Sequence, residues 1–230
     1  MFGLHVGEAG FRAGPTLASA DEWMLVVQGR QTHGARPRDG VDPITVGTQS
    51  MLARQVNIAA TPVVPTAGRF NAGVRLNIIP DRATLVGTLR SFDPEVRRDV
   101  IARFGRIAAD FARAAGAEAT LGVVNTAPAT VNDPAPARRV LPSLQAAVGA
   151  GHVGEMPLQT VAEDFAQFAD AVPGAYFFVG TTPADKDPAA KPINHSLLYA
   201  RDEAALDVGL KTMLQVATDY LDPPAGANAD

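Results

Sequence analysis

Residues 81–104 have the sequence DRATLVGTLRSFDPEVRRDVIARF, and this stretch decides the fold of the central part of the chain. Its first half alternates apolar and polar side chains, which is typical of a strand with one buried face. Asp93 can then cap a helix, and Pro94 stands at the first helical position, where proline is tolerated. Apolar residues recur at three- and four-residue intervals until Gly116 ends the pattern. The stretch therefore predicts a strand followed by an amphipathic helix.

Working outward, four more segments complete one domain. Two prolines in TPVVPTAGRF confine that segment to an edge strand or an irregular stretch. A helical pattern opens at Asp42-Pro43, and Val56 and Ile58 are among its apolar positions. The predicted strands are residues 22–30, 61–70, 81–92 and 117–126. With the two helices they give the order β-α-β-β-α-β, which is the ferredoxin-like arrangement.

The rest of the chain forms a second unit. Residues 127–137, APATVNDPAPA, have the composition of a linker. We predict an inserted domain at residues 20–126, an incomplete unit made of 1–19 and 127–222, and a frayed tail at 223–230. The second unit has a short strand FGLHV at the start, followed after the linker by a helix near 138–149, a strand at 175–180 and a helix at about 202–221.

Composition excludes several classes of protein. The chain has 230 residues, of which 47% are hydrophobic and 19% charged, as in an ordinary globular protein. Its net charge of −4 gives no basic field for nucleic acid, and no run of about 20 apolar residues could span a membrane. The absence of cysteine removes thiolate zinc sites and disulfides, and it agrees with the cytoplasmic location that we expect.

Three of the four histidines occupy positions suited to chemistry. His5 lies in the first strand, and His195 follows a Pro/Asp/Lys loop; imidazoles at strand ends and in loops are good ligands for zinc, cobalt or nickel. His33 is in the loop QTHGARP, where Gly34 permits close approach of a ligand. From the residues alone, solitary surface or core histidines remain the alternative, which we retain for His152.

Four further candidates either could bind a substrate carboxylate or have carboxylate side chains themselves. Arg90 lies on an alternating strand and could bind a carboxylate through both ends of its guanidinium, with Asn77 adding hydrogen bonds. Glu163 and Asp164 begin the amphipathic segment AEDFAQF, and as neighbours on a helix they point to different sides. A solvated arginine, a turn asparagine and an ordinary helix start are the alternatives.

Taken in order, FGLHV, QGRQTHGARPRDGVDPI, LNIIPDRATLVGTLRSFDPEVR, PATVNDP, AEDFAQF, PGAYFFVG and NHSLLYARDEAAL resemble the zinc-dependent amidohydrolases of the aminoacylase, hippurate hydrolase and auxin-conjugate hydrolase family. That family belongs to the metallocarboxypeptidase-like clan. The resemblance implies an α/β catalytic domain with two divalent metal ions, zinc or else manganese or cobalt. It also implies an inserted ferredoxin-like lid that forms a homodimer.

The resemblance implies a role for each candidate residue. His5 and His195 correspond to metal ligands. His33 corresponds to the lid histidine that reaches the partner subunit's site and polarises the scissile carbonyl. Asn77 and Arg90 correspond to the lid residues that hold the substrate's carboxylate, and Glu163 lies in a motif that lines the site.

This sequence departs from the family at its start, because members carry a long segment before the FGLHV position. That segment supplies further metal ligands and the glutamate base. We therefore expect an amidohydrolase for N-acyl amino acids that is inactive, and binds metal weakly, as this chain alone. The alternative is a non-catalytic dimerisation module derived from the lid. A ferredoxin-like RNA-binding module is disfavoured, because the chain is acidic and its strands lack neighbouring exposed aromatic residues.

Overall fold

The computed structural model describes residues 1–53, 61–183, 185–187, 192 and 194–222. Its strands are β1 (Phe2–Gly7), β2 (Gly14–Leu17), β3 (Ala20–Gln28), β4 (Thr32–His33), β5 (Val63–Ala72), β6 (Ile78–Ile79), β7 (Arg82–Ser91), β8 (Glu118–Ala127), β9 (Thr130–Asn132) and β10 (Ala175–Gly180). Its α-helices are α1 (Pro43–Ala53), α2 (Pro94–Ala115), α3 (Pro134–Val148), α4 (Phe165–Ala171) and α5 (Ala204–Leu221).

The chain divides into two compact units. The first comprises Met1–Leu17, Thr130–Gln159 and Glu163–Asp230, of which residues 184, 188–191, 193 and 223–230 lie outside the described part. The second comprises Ala18–Ala129 and Thr160–Ala162. These boundaries lie within a few residues of those given above for the inserted domain.

The second unit contains a four-stranded antiparallel sheet in the order β5-β7-β3-β8. With α1 and α2 between its strands, it confirms the predicted β-α-β-β-α-β arrangement, and β5 is an edge strand, as its prolines require. The positions predicted for α1 at Val56 and Ile58 lie outside the described residues. The core beneath the helices consists mainly of Trp23, Leu25, Val27, Val46, Leu85, Leu89, Val100 and Phe104.

Local signals set the ends of α2. The Asp93 carboxylate accepts hydrogen bonds from the backbone N–H groups of Glu95 (2.7 Å) and Val96 (3.2 Å). At the other end Gly116 has φ of 73°, a left-handed conformation that favours glycine. The capped helix is therefore the one that the sequence predicts.

A buried ion pair joins α2 to β3. The Asp21 side chain is fully buried and receives hydrogen bonds from Arg97 at 2.6 and 2.9 Å. Ser19 and Asn125 donate to the same carboxylate, at 3.2 and 2.8 Å. Hydrogen bonding to Asp21 raises the pKa of the Arg97 guanidinium, so the arginine stays charged.

The first unit is built on a two-stranded parallel sheet of β1 and β10, in which Phe2 lies beside Ala175 and Gly7 beside Gly180. Helices α3 and α5 pack against one face through the cluster Phe11, Ala137, Val140, Leu144, Ala175, Phe177 and Val216. Helix α3 begins at Pro134 rather than near 138, because Asp133 caps it through the N–H of Ala135 (2.8 Å).

The outer edge of β10 is closed by groups outside the two-stranded sheet. The Asn132 side chain, fully buried, accepts from the N–H of Tyr176 (2.6 Å) and donates to its carbonyl (2.8 Å). Its amide also donates to the carbonyl of Arg12 (2.7 Å). Two residues along, the backbone of Gly10 pairs with Phe178 in both directions. Asn132 thus replaces a neighbouring strand at one position.

No helix within the described ranges is both long enough and apolar enough to cross a membrane.

Candidate functional site

His5 projects from the face of β1 that lies opposite α3 and α5. Alternate residues share a face of a strand, so Gly3 and Gly7 flank His5. A Cβ on Gly3 would come within 2.6 Å of the Tyr176 ring, and one on Gly7 within 3.0 Å of Phe178. The two glycines of the motif GLHVG therefore make room for the Tyr176 and Phe178 rings, and His5 is the one side chain that projects between them. The His5 side chain is 36% exposed.

Hydrogen bonding fixes the tautomer of His5. Its Nδ1 lies 2.6 Å from the carbonyl oxygen of Val6. Because a carbonyl only accepts, Nδ1 must donate, and in the neutral ring Nε2 keeps its lone pair. Nε2 lies 3.9 Å from Oε2 of Glu163. A histidine held in this way is prepared to bind a metal ion through Nε2.

His195 lies in a segment that is attached to the carboxyl ends of both strands. The side chain of the preceding residue, Asn194, donates to the carbonyl of Val6 at 2.9 Å, the same oxygen that His5 uses. Further on, the Tyr199 hydroxyl lies 2.7 Å from that of Thr181, just beyond β10. Ligand sites in parallel sheets lie outside the carboxyl ends of strands.

The backbone of His195 supports a special role for this residue. Its φ is 73°, and it is the one described residue other than glycine with positive φ. Such conformations are uncommon and collect at functional sites, where surrounding structure maintains them. The His195 side chain is exposed to solvent.

Glu163 is held by its surroundings as well as by its own segment. Its Oε1 accepts from the N–H of Asp164 at 3.1 Å. Burial raises the pKa of Tyr176, and the negative charge and hydrogen bonding of Glu163 raise it further. Tyr176 therefore stays protonated and can donate to Glu163. Tyr176 is not among the residues predicted from the sequence, since a tyrosine within the apolar run AYFFVG resembles an ordinary core residue.

In the second unit, His33 and Asn77 come together. The pairing of β4 with β6 places His33 opposite Ile78, and the N–H of Gly34 donates to the carbonyl of Asn77 at 2.8 Å. The N–H of Ala35 donates to Nδ1 of His33 at 3.1 Å. In the neutral ring the proton therefore lies on Nε2, so exposed His33 can donate a hydrogen bond from that atom.

Arg90 does not lie beside Asn77. It is near the end of β7, and its Nη1 is 3.5 Å from the carbonyl of Ser19. The antiparallel ladder runs from the Gln28–Arg82 pair on to the short β4–β6 pair, so Asn77 lies beyond the other end of β7. Eight residues of strand separate the two ends by roughly 27 Å. Arg90 and Asn77 of one chain therefore cannot hold the same carboxylate.

The described residues do not form a complete metal site by themselves. No group of three or more histidine, aspartate or glutamate side chains in the described ranges is arranged to hold a metal ion. His5 and Glu163 offer two donors of suitable chemistry, and structural and catalytic metal sites need at least three protein ligands. The residues present do not fit a metal ion on their own.

Comparisons with known proteins find relatives in both sequence and structure. The family described as "Peptidase dimerisation domain" matches residues 17–115. Thermostable carboxypeptidase 2 of Saccharolobus solfataricus is 32% identical over 91% of this chain and 55% of its own length. The N-acetyl-L-cysteine deacetylase of Bacillus subtilis is 32% identical over 79% of this chain and 46% of its own length.

A solved structure has the same fold. A dinuclear metal binding peptidase from the M20 family, from Bacillus subtilis, superposes with a TM-score of 0.76 and 27% identity. The match covers 96% of this chain and 57% of that peptidase. The chain thus spans about half the length of the relatives that it matches. It carries the peptidase dimerisation domain of the M20 family and is a homologue of the hydrolases of that family.

Proposed function

We propose that this chain supplies the lid and the second half of the catalytic domain of a metal-dependent amidohydrolase, which cleaves the amide bond of N-acyl amino acids. The observation that carries the proposal is the arrangement around His5. Its tautomer leaves Nε2 free, Glu163 lies 3.9 Å from that atom, and Asn194 fixes the His195 segment to the same Val6 carbonyl. Three segments distant in sequence thus converge at one strand end.

His5, with His195, is the proposed contribution of this chain to metal binding, and Glu163 lines the same site. Divalent ions such as zinc, manganese or cobalt supply an activated water and polarise the carbonyl when bound. Zinc sites are completed by further ligands, which the described residues do not provide. We therefore propose that this chain contributes two imidazole ligands to the metal site and forms part of the wall around them.

His33 is the proposed donor to the reacting carbonyl. Because the N–H of Ala35 occupies Nδ1, neutral His33 presents Nε2–H to an oxyanion. A hydrogen bond from such a donor becomes stronger as negative charge develops on the oxygen of the reacting carbonyl. We place His33 in the site of the partner subunit of a homodimer formed through the lid.

Arg90 and Asn77 are the proposed ligands of the substrate's carboxylate. Since about 27 Å of strand separates the ends of β7, one carboxylate can meet both residues only if they come from different subunits. We therefore propose that Arg90 acts with Asn77 of a second copy. The half-buried Arg90 offers a fork of N–H donors that matches a carboxylate.

A chimera tests the function. Residues 2–221 would replace the matching 57% of the Bacillus subtilis metal peptidase, and hydrolysis of hippurate and N-acetyl amino acids would be measured with added zinc, cobalt or manganese. We expect metal-dependent turnover. His33→Ala should lower kcat by about 10²–10³-fold with little change in KM, since oxyanion donors act in the transition state.

The matched control is His152→Ala, because His152 lies outside the proposed site. A folded, dimeric chimera that hydrolyses none of these amides would contradict the proposal. That result would favour the alternative of a non-catalytic dimerisation module, which the match to the dimerisation domain also accommodates.

The chain alone is expected to show little or no turnover. Loss of a general base typically costs about 10²–10⁴ in rate, and the described residues supply no third clustered ligand. Turnover by the purified 230-residue chain at ordinary enzyme rates would contradict this expectation.

A further inference from the structure

A cavity of about 560 Å³ lies within the first unit, between its sheet and the helices α3 and α5. Leu4, Phe177 and Val179 line it from the sheet, while Leu144 of α3 and Thr212 of α5 line it from the helices. Ligand-binding cavities have volumes of about 300–1,000 Å³, whereas voids in packed interiors are seldom larger than a water molecule. The cavity therefore has the size of a binding site for a small molecule.

This cavity is separate from the proposed catalytic site. Adjacent residues of a strand point to opposite faces of a sheet, so Leu4 projects toward the cavity and His5 projects away from it. Leu4 also lies 3.7 Å from a Cβ built on Gly209 of α5, which places its side chain on the helix-covered face. A molecule in the cavity would therefore not occupy the position proposed for the substrate.

The deeper part of the cavity is apolar. Phe11, Leu144 and Phe177 line it and are buried. Thr212 is also buried, but its hydroxyl donates to the carbonyl of Val208 at 2.6 Å. Burying a charged or unpaired polar group against such walls is costly. The interior of the cavity therefore suits an apolar group.

Two opposite charges lie side by side at the mouth of the cavity. Asp207 and Lys211 both line it, and both side chains are exposed. Residues four apart on a helix have Cβ atoms about 5–6 Å apart. Neither side chain forms a hydrogen bond or an ion pair with another described residue. His152 also borders the mouth, and we assign it no contact with the ligand.

We propose that this cavity binds an α-amino acid with a large apolar side chain, such as phenylalanine or leucine. The apolar side chain enters the cavity, the carboxylate lies beside Lys211 and the ammonium group lies beside Asp207. Both charges of an α-amino acid are attached to one carbon atom, so they can meet two side chains that are one helical turn apart. A fatty acid would place a like charge near Asp207, and an apolar amine would do so near Lys211.

The class of ligand follows from the lining and the charges of the cavity, and it does not rest on the proposed function. The test therefore measures binding alone. The 230-residue chain would be titrated with free L-phenylalanine and followed by methyl NMR. We expect saturable binding with a Kd no weaker than about 1 mM, with shifts of the methyl signals of Leu4, Leu144 and Val179. The methyl signals of Val27 and Leu85, in the second unit, should not move.

Two analogues separate the contributions of the two charges. 3-Phenylpropionate lacks the ammonium group, and 2-phenylethylamine lacks the carboxylate. Because hydrogen bonds to charged groups are stronger than neutral ones, each analogue should bind about tenfold more weakly than phenylalanine.

Substitutions at the mouth should reproduce this pattern. Lys211→Met keeps a long side chain without the charge, so it should weaken phenylalanine binding about tenfold and leave 2-phenylethylamine binding unchanged. Asp207→Asn should weaken phenylalanine binding to a similar extent and leave 3-phenylpropionate binding unchanged. Lys186→Met and Asp170→Asn are the matched controls, because both residues belong to the same unit and do not line the cavity. Far-UV circular dichroism would establish that each variant is folded.

Three outcomes would overturn the proposal. One is the absence of saturable phenylalanine binding up to roughly 10 mM, or binding that leaves the methyl signals of the cavity unmoved. Another is equal binding of phenylalanine and its two analogues, which would make the cavity an unselective apolar void. The third is a Lys211→Met variant that binds phenylalanine as well as Lys186→Met does. None of these readouts depends on hydrolysis, so a failure here is distinct from a failure of the hydrolase assignment.

Discussion

Replacing Asn132 by alanine should destabilise the first unit selectively. Asn132 is fully buried and makes three hydrogen bonds, to the N–H and C=O of Tyr176 and to the carbonyl of Arg12. Alanine would leave these groups without their partner, and each unsatisfied buried group costs about 1–3 kcal/mol. Allowing for water at the partly exposed carbonyl of Arg12, we expect a loss of about 4 kcal/mol.

Asn132→Asp provides the comparison that isolates hydrogen bonding from packing. Aspartate has nearly the same size, but as a carboxylate it only accepts. It can keep the Tyr176 N–H, while its second oxygen faces two carbonyl oxygens. Asn132→Asp should therefore be at least as destabilising as Asn132→Ala, although it leaves no cavity.

The two units can be followed separately in urea. The single tryptophan, Trp23, is buried in the second unit, so its fluorescence reports on that unit, whereas exchange of the Tyr176 amide reports on the first. A loss of about 4 kcal/mol corresponds to an exchange rate increased by more than 100-fold. The Trp23 transition should be unchanged, and exposed Asn71→Ala serves as the control. If both Asn132 variants exchange at Tyr176 within tenfold of the wild type, the role given to Asn132 is wrong.

Three further predictions concern single interactions. Asp93→Ala removes the cap of α2 and should lower the free energy of unfolding by about 1 kcal/mol, measured by Trp23 fluorescence in urea; an unchanged midpoint would contradict it. Asp21→Ala leaves Arg97 without its buried partner and should cost about 3–5 kcal/mol in the same assay, whereas a cost below 1 kcal/mol would show that water replaces the pair. Because the pKa of Tyr176 is raised above 10 in the folded chain, its contribution is complete below pH 10 and is lost as the pH rises above that value. Tyr176→Phe should flatten this alkaline loss of stability in circular dichroism, and an equally steep loss in the variant would contradict the assignment.

The elements with strong local signals were predictable from the sequence. Asp93-Pro94 and Gly116 mark both ends of α2, and alternation marks β7. The strand at 175–180 was predicted with its observed limits. These elements are set by helix capping, by the left-handed conformation open to glycine and by burial of one face of a strand. Each of these effects acts over a few neighbouring residues, so it can be recognised in the sequence.

Features that depend on tertiary structure were not predictable in this way. The role of Asn132 in closing the edge of β10 has no signature in PATVNDP, because its partner Tyr176 is 44 residues away. The start of α3 was predicted late, since the prolines of the linker also suit the first turn of a helix.

The candidate site shows the same limit. Residue types and the family resemblance selected His5, Glu163 and His195, but only the fold shows that His5 and Glu163 face one another at 3.9 Å. Conversely, Arg90 and Asn77 are 13 positions apart in sequence, and β7 separates them. The number of residues between two positions therefore predicts neither the closeness of His5 to Glu163 nor the separation of Arg90 from Asn77.

The most direct test of the hydrolase assignment is an anomalous difference map at the zinc edge from crystals of the chimera grown with zinc. We expect a peak about 2.0–2.1 Å from Nε2 of His5, with His195 bonded to zinc in the same site. Zinc peaks that lie away from both imidazoles, in a chimera that is folded and active, would contradict the account.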